Sequence, residues 1–84
     1  MKYNERKHQT LEIFSRYRYL RPGEYAVEAK FFPTFAAWSY LLRLHRFRYL
    51  NRGRNSRGQV VYSLGKKGAE RLLLIRRGEW PQRR

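Results

Sequence analysis

Arginine is concentrated in one short polar segment in the second half of the chain. Residues 51–58 run Asn-Arg-Gly-Arg-Asn-Ser-Arg-Gly, with three arginines, no acidic residue and no apolar residue. A guanidinium group can bind phosphate through two hydrogen bonds or enter a narrow minor groove. A charged loop can also be merely solvated, and this alternative stays open. The candidate phosphate contacts in the segment are Arg52, Arg54, Asn55 and Arg57.

A second set of candidate residues precedes this segment at helical spacing. Ala37, Tyr40, Leu41 and Leu44 recur every three or four residues, as the buried side of a helix does. The opposite side of such a helix could enter a major groove, with hydroxyls on base edges, aromatic rings on thymine methyl groups and arginines on phosphate. The residues expected on this side are Thr34, Phe35, Trp38, Ser39, Arg43 and Arg46.

The same helix carries more apolar surface than groove binding requires. Phe35, Trp38 and Leu42 form a second apolar stripe beside the first. Three explanations stay open: packing against the first helix or the hairpin, an interface with a second copy or another protein, and direct base contact.

Two adjacent lysines, Lys66 and Lys67, stand close to the start of the last predicted helix. Unpaired amide groups at a helix N-terminus attract anions, so a phosphate contact is one interpretation. A solvated pair with no ligand is the other. The residues fit both equally well.

The overall charge favours a polyanionic partner. Lysine and arginine total 20 against 6 glutamates, for a net charge of +14, and arginine outnumbers lysine 15 to 5. Binding to a phosphate backbone relieves the self-repulsion of such a surface and releases counterions. Charge that serves only solubility is the alternative. Because 42% of the residues are hydrophobic, we expect one folded domain over residues 1–84, with a core from about residue 10 to 76 and frayed ends.

The residue types speak against catalysis and against a metal centre. His8 and His45 are far apart, aspartate and cysteine are absent, and the glutamates form no paired motif. We therefore expect no enzyme activity, no cofactor and no small-molecule ligand. The first residues are charged, and no uninterrupted apolar run is longer than four residues, as in Leu72–Ile75. We expect a cytoplasmic, nucleoid-associated protein without a membrane segment.

The apolar periods predict a mainly α fold with one small β-hairpin. Helices are expected over residues 4–20, 24–31, 35–47 and 69–77, and the polar segment is expected to be a loop between two antiparallel strands, the second at residues 59–64. Arg21-Pro22-Gly23 should interrupt the first helix, and Thr34 is suited to cap the third. On the first helix, the residues expected on one face are Thr10, Ile13, Phe14, Tyr17 and Leu20.

This order of elements resembles the winged helix-turn-helix superfamily, and in particular regulators of the multiple-antibiotic-resistance and phenolic-acid-repressor type. The likeness covers about residues 10–76. In those families a Tyr-x-Leu-Thr-x-x-Gly-x-x-x-Leu segment leaves the wing and enters the next helix, and Tyr62, Leu64, Gly68 and Leu72 match it. Gly65 replaces the family's threonine. Arg48 replaces a frequent glycine, so we expect a different turn after the third helix.

The resemblance implies a three-helix winged domain with a closing helix that binds double-stranded DNA, as a transcriptional regulator does. The third helix would lie in the major groove, and the arginine-rich wing would lie on the backbone or in the minor groove. Two other functions stay open: an RNA-binding or ribosome-associated winged helix, and a protein-interaction module that uses the apolar third helix. A homodimer also stays open.

Overall fold

The predicted order of three helices, a hairpin and a fourth helix is confirmed in the computed structural model, which describes residues 3–77 and, for Tyr3 and Asn4, the backbone alone. The chain forms a mixed α+β fold. The tail from Gly78 to Arg84, predicted to be frayed, lies outside the described residues. The elements are α1 (Tyr3–Arg16), α2 (Pro22–Ala29), α3 (Thr34–Arg46), β1 (Leu50–Arg54), β2 (Val60–Leu64) and α4 (Lys66–Arg76).

The first helix ends four residues earlier than predicted. α1 stops at Arg16, and Tyr17, expected on its buried face, is exposed beyond the helix end. Leu20 is buried as predicted, but it lies in an extended segment and not in the helix. Its backbone forms an isolated antiparallel bridge with Tyr62 of β2, with N–H···O distances of 2.9 and 2.8 Å. A backbone pairing partner 42 residues away therefore competes with helix continuation here.

Pro22 and Gly23 belong to the second helix and Arg21 is its N-cap, whereas the sequence predicted that Arg21-Pro22-Gly23 interrupts the chain between the first two helices. Pro22 occupies the first turn of α2, where its missing N–H costs nothing. The backbone N–H of Arg21 donates to Glu24 Oε1 at 2.8 Å, which satisfies one of the groups that a helix start leaves unpaired. The predicted inner face of Tyr25, Ala26 and Ala29 is buried, as expected.

The third helix has the predicted core face and a different start. Ala37, Tyr40, Leu41 and Leu44 are buried, in agreement with their spacing. The N-cap is Pro33, and Thr34 is the first helical residue, so the expectation that Thr34 caps this helix is wrong. α2 and α3 pack against each other across a four-residue connection.

Four aromatic rings link the first three helices through the core. Phe14 of α1 stacks on Tyr25 of α2 at 5.7 Å between centroids, and Tyr25 meets Phe31 edge-on at 6.3 Å. Phe31 in turn lies 5.7 Å from the ring of Tyr40 on α3. The Tyr25 hydroxyl is 2.7 Å from the Thr10 hydroxyl, which satisfies both buried polar groups. Burial raises the pKa of the Tyr25 phenol.

The first strand of the hairpin passes through residues expected to be a loop. β1 pairs antiparallel with β2 from Leu50↔Leu64 to Arg54↔Val60, so the loop itself is only residues 55–59. Arginine and glycine are poor indicators of a strand. Pairing with the β-rich partner Val60–Leu64 determines the strand instead.

The closing helix begins three residues earlier than predicted. Gly65 is its N-cap, and α4 includes Lys66, Lys67 and Gly68. Gly68 lies against the backbone of Tyr49, where an added Cβ would stand 2.2 Å from the Tyr49 carbonyl oxygen. Only glycine allows α4 to pack this closely.

The turn after α3 has the backbone conformation that a glycine would adopt. Arg48 has φ of 68°, in the left-handed region that glycine adopts most easily. Lys30, after α2, has φ of 52°. Both connections use left-handed residues with side chains, at a cost of about 1 kcal/mol each.

Candidate nucleic-acid interface

The outward face of α3 exposes two large aromatic side chains. Phe35 is 73% exposed and Trp38 is 53% exposed, while Leu42 is half-buried. Phe35 and Trp38 are therefore largely open to solvent, and of this stripe only Leu42 is half-buried. An interface and base contact remain as explanations of these two rings.

The polar residues predicted on the same helix are also exposed. Ser39 and Arg46 share the centre of the outward face with Phe35, and Arg43 lies toward its edge. Thr34 is exposed at the first turn. All six predicted α3 residues are thus on the surface, and together they present hydroxyl, aromatic and guanidinium groups along one helix.

The hairpin turns one of its faces toward α3. The Tyr62 ring lies 6.4 Å from the imidazole of His45 on α3, and His45 Nδ1 is 3.1 Å from the Leu50 carbonyl oxygen. Residues directly opposite each other in an antiparallel pair project to the same face. Arg52 is opposite Tyr62 and Arg54 is opposite Val60, so both arginines belong to the face that is turned toward α3.

The loop at the hairpin tip is held in place by an asparagine. The Asn55 carboxamide oxygen accepts from the backbone N–H groups of Arg57 at 2.9 Å and Gln59 at 3.0 Å, and its amide nitrogen donates to Gln59 Oε1 at 3.0 Å. Arg54 Nη1 donates to the Gly58 carbonyl at 2.7 Å. Asn55 thus shapes the loop, while the Arg57 side chain is exposed.

An open apolar groove of about 560 Å³ separates α3 from the hairpin tip. Trp38 forms its wall on the α3 side, Val60 its wall on the β2 side, and Pro22 and Val27 of α2 lie between them. The sequence did not single out this site. Its residues come from three elements, and no local pattern connects them.

The chain segment that forms α3 and both strands contains no acidic residue. Residues 29–69, which include α3 and both strands, contain six arginines, three lysines and no acid. At the groove, Glu24 pairs with Arg21 at 3.2 Å, and hydrogen bonds from the Arg21 backbone and side chain lower the pKa of its carboxyl. The charged side chains of α3 and of the hairpin themselves are therefore all basic, and Glu24 of α2 is the acidic side chain that lines the groove.

The two predicted lysines of α4 lie apart from the groove. Lys66 and Lys67 line a separate cleft of about 500 Å³ with His45, Arg48, Leu50, Asn51 and Glu70, at the end of α3 opposite to Phe35. The Lys67 ammonium also lies 4.6 Å from the centroid of the Tyr49 ring.

Three cations surround that buried tyrosine. Lys7 Nζ lies 4.5 Å and Arg71 Cζ 5.6 Å from the Tyr49 ring centroid, in addition to Lys67. The Lys7 side chain is itself buried. We call Tyr49 with Lys7, Lys67 and Arg71 the Tyr49 cluster. The sequence did not predict it, because its members come from α1, α4 and the turn after α3.

Within residues 3–77, no three histidine, aspartate, glutamate or cysteine side chains come together as metal ligands. The same part of the chain contains no helix with the length and apolarity needed to cross a bilayer. Comparisons of the chain with protein-family models, curated proteins and solved structures found no match.

Proposed function

We propose that this protein is a winged helix-turn-helix domain that binds double-stranded DNA and regulates transcription. The observation that supports this most is the relation of α3 to the hairpin: the arginines of β1 belong to the hairpin face that is turned toward the exposed helix. A helix and an adjacent basic hairpin are the two parts with which a winged domain contacts a duplex.

The chain topology agrees with this proposal. The bridge between Leu20 and Tyr62 adds a short third backbone segment beside the hairpin, between α1 and α2. The order is then helix, bridge, two helices, hairpin. α2 and α3 pack together across a short turn, as the two helices of a helix-turn-helix do.

In this proposal α3 enters the major groove by its N-terminal half. Thr34 and Ser39 would meet base edges, and Phe35 would contact thymine methyl groups. Arg43 and Arg46 would bind phosphate on either side. Arg52, Arg54 and Arg57 would contact the neighbouring backbone or minor groove, with Asn55 as the residue that shapes the loop. Lys66 and Lys67 would contact phosphate only at the far end of α3.

The test is a fluorescence anisotropy titration against matched duplex DNA, single-stranded DNA and an RNA hairpin, each at low and moderate salt. We expect tightest binding to the duplex, with affinity falling steeply as salt rises because phosphate contacts release counterions. Equal, weak binding to all three would contradict the proposal.

A double variant, Arg54→Ala with Arg57→Ala, tests the hairpin separately. Loss of two phosphate contacts should reduce the slope of log affinity against log salt by about 2. The matched control is Arg16→Ala with Arg77→Ala, which removes the same charge from exposed residues of α1 and of the α4 end. An equal reduction in both variants would show that only net charge matters.

The exposure of Phe35 and Trp38 favours a second candidate, binding to unpaired RNA or DNA. Aromatic rings on a basic surface stack on unpaired bases at about 1–3 kcal/mol per base. The same titration separates the two: tighter binding to the single strand or the hairpin loop than to the duplex would favour this candidate.

A further inference from the structure

The groove between Trp38 and the hairpin tip has apolar walls and a polar rim. Trp38, Val27, Val60 and Pro22 provide apolar surface, and the rim carries Arg21, Glu24 and Gln59. Its volume of about 560 Å³ falls in the usual range of clefts that bind small molecules, roughly 300–1,000 Å³. A flat, largely apolar group with polar edges would match both the walls and the rim.

The charge around the groove restricts what can occupy it. Arg21 lines the groove, Arg54 stands opposite Val60 in the strand register and Arg57 follows in the tip loop, so the hairpin next to the groove carries only basic charges. A second copy of this chain would bring a net charge of +14 against +14. The fitting occupant therefore carries negative charge next to a flat apolar body. A nucleotide has this combination: a base with two apolar faces and a phosphate.

We propose that the groove binds one unpaired nucleobase, stacked on the indole of Trp38. This inference depends on the proposed function and names the form of nucleic acid that the site prefers. The carboxamide of Gln59 can donate to and accept from the edge of the base, and Glu24 can accept from an exocyclic amino group. The phosphate of the same nucleotide would lie toward Arg21 or Arg54.

The consequence is a preference for duplexes that contain an unpaired nucleotide. Extruding a base from an intact duplex costs stacking and pairing energy, whereas a bulged nucleotide has already lost its partner. A bulge therefore gains the Trp38 contact at little cost. In a perfect duplex, the groove would stay empty while α3 and the hairpin bind.

The experiment compares a short duplex with the same duplex that carries one unpaired deoxyadenosine near its centre, by anisotropy at a single salt concentration. We expect about tenfold tighter binding of the bulged duplex, the size that stacking of one base on an aromatic ring produces. A third duplex carries an abasic residue at the bulge, which retains the backbone distortion and removes the base. It should bind no better than the perfect duplex.

The Trp38→Leu variant tests whether this ring is responsible. The preference for the bulge should disappear in this variant. It should persist in the control Phe47→Leu, which alters another aromatic side chain of nearly equal exposure, 52% against 53%, beyond the end of α3. Thermal melts of both variants confirm that they are folded.

Tryptophan fluorescence provides a readout that does not depend on affinity. In a Trp80→Phe background, Trp38 is the only tryptophan in the chain. Saturation with the bulged duplex should quench its emission more than saturation with the abasic duplex, because only a stacked base contacts the indole.

The outcomes separate this inference from the proposed function. Equal affinity for the perfect and bulged duplexes, with the Arg54 and Arg57 dependence intact, would overturn the base site and leave duplex binding in place. A bulge preference that survives Trp38→Leu, or equal quenching by the abasic duplex, would also overturn it. Failure to bind any of the nucleic acids would overturn both.

Discussion

Two basic regions of this molecule use their cations in different ways. In the hairpin, Arg52, Arg54 and Arg57 are exposed on a paired strand and a short loop. In the Tyr49 cluster, three cations are packed around one buried ring, and one of them, Lys7, is buried as well. The hairpin arginines are thus all exposed, whereas in the Tyr49 cluster Lys7 is buried, Arg71 is half-buried and Lys67 is exposed.

A basic residue in the sequence is therefore not by itself a ligand contact. An ammonium group over an aromatic face stabilises the fold and keeps its stem covered by packing. An arginine on a hairpin rim contributes little to stability, so its charge stays available to a partner. Stability and binding should therefore respond in opposite ways to substitutions in the two regions.

The largest expected difference is in the free energy of unfolding, between a glycine substitution next to Tyr49 and one in the hairpin. Gly68→Ala should lower the free energy of unfolding by about 2–3 kcal/mol, because the new Cβ would overlap the Tyr49 carbonyl oxygen. This loss exceeds the gain of about 1 kcal/mol that alanine brings to a helix. Gly53→Ala in β1 meets nothing within 4 Å and should leave stability unchanged or slightly raised. Urea denaturation followed by circular dichroism measures both, and equal stabilities would show that α4 does not pack closely on Tyr49.

Smaller effects are expected when single cations are removed, on stability in the Tyr49 cluster and on duplex affinity in the hairpin. Lys67→Met removes a charge over the Tyr49 ring and should lower stability by about 0.5–1 kcal/mol. Arg57→Met should leave stability within about 0.5 kcal/mol and weaken duplex binding. Denaturation and anisotropy on both variants give the four values. If Lys67→Met weakened duplex binding as much as Arg57→Met, the distinction between the two regions would not hold.

The smallest effect concerns the stability of the fold at acidic pH, through an ion pair between α1 and α4. Arg76 Nη2 donates to Glu12 Oε1 at 2.9 Å and joins α4 to α1, and this hydrogen bond lowers the pKa of Glu12 below its ordinary 4.5. The stabilisation is therefore complete above pH 4.5 and is lost as the pH falls through the lowered pKa. Because the pair is partly exposed, we expect a change in Tm of only a few degrees. Melts of wild type and Glu12→Gln from neutral to acidic pH test this, and parallel curves would exclude a contribution from the pair.

Local patterns predicted the elements of this fold better than their ends. The buried faces of α2 and α3 follow from apolar spacing alone, because a helix of 3.6 residues per turn repeats its core contacts at that interval. The ends of α1 and α4 depend on distant partners. The backbone pairing of Tyr62 with Leu20 prevents α1 from continuing. The close approach of the Tyr49 backbone to Gly68 explains why α4 can begin with two lysines and a glycine.

The site was predicted in its composition and only partly in its arrangement. Exposure of the α3 polar residues follows from their position opposite the core face. The exposure of Trp38 does not, since an aromatic stripe is more often buried, whereas in the fold this ring is 53% exposed and lines the groove. Pro22, Val27 and Val60 join Trp38 only because three elements converge, and Asn55 shapes the loop through hydrogen bonds that no spacing reveals.

The sequence by itself determined the mixed α+β class, the order of elements, the core faces of α2 and α3 and the excess of positive charge. Periodicity and charge are properties of neighbouring residues, so they can be recognised along the chain. Only the tertiary structure decided which cations are packed on a ring, which strand face meets α3 and where the groove lies. Each of these depends on contacts between residues far apart in sequence, whose geometry is set by packing of the whole domain.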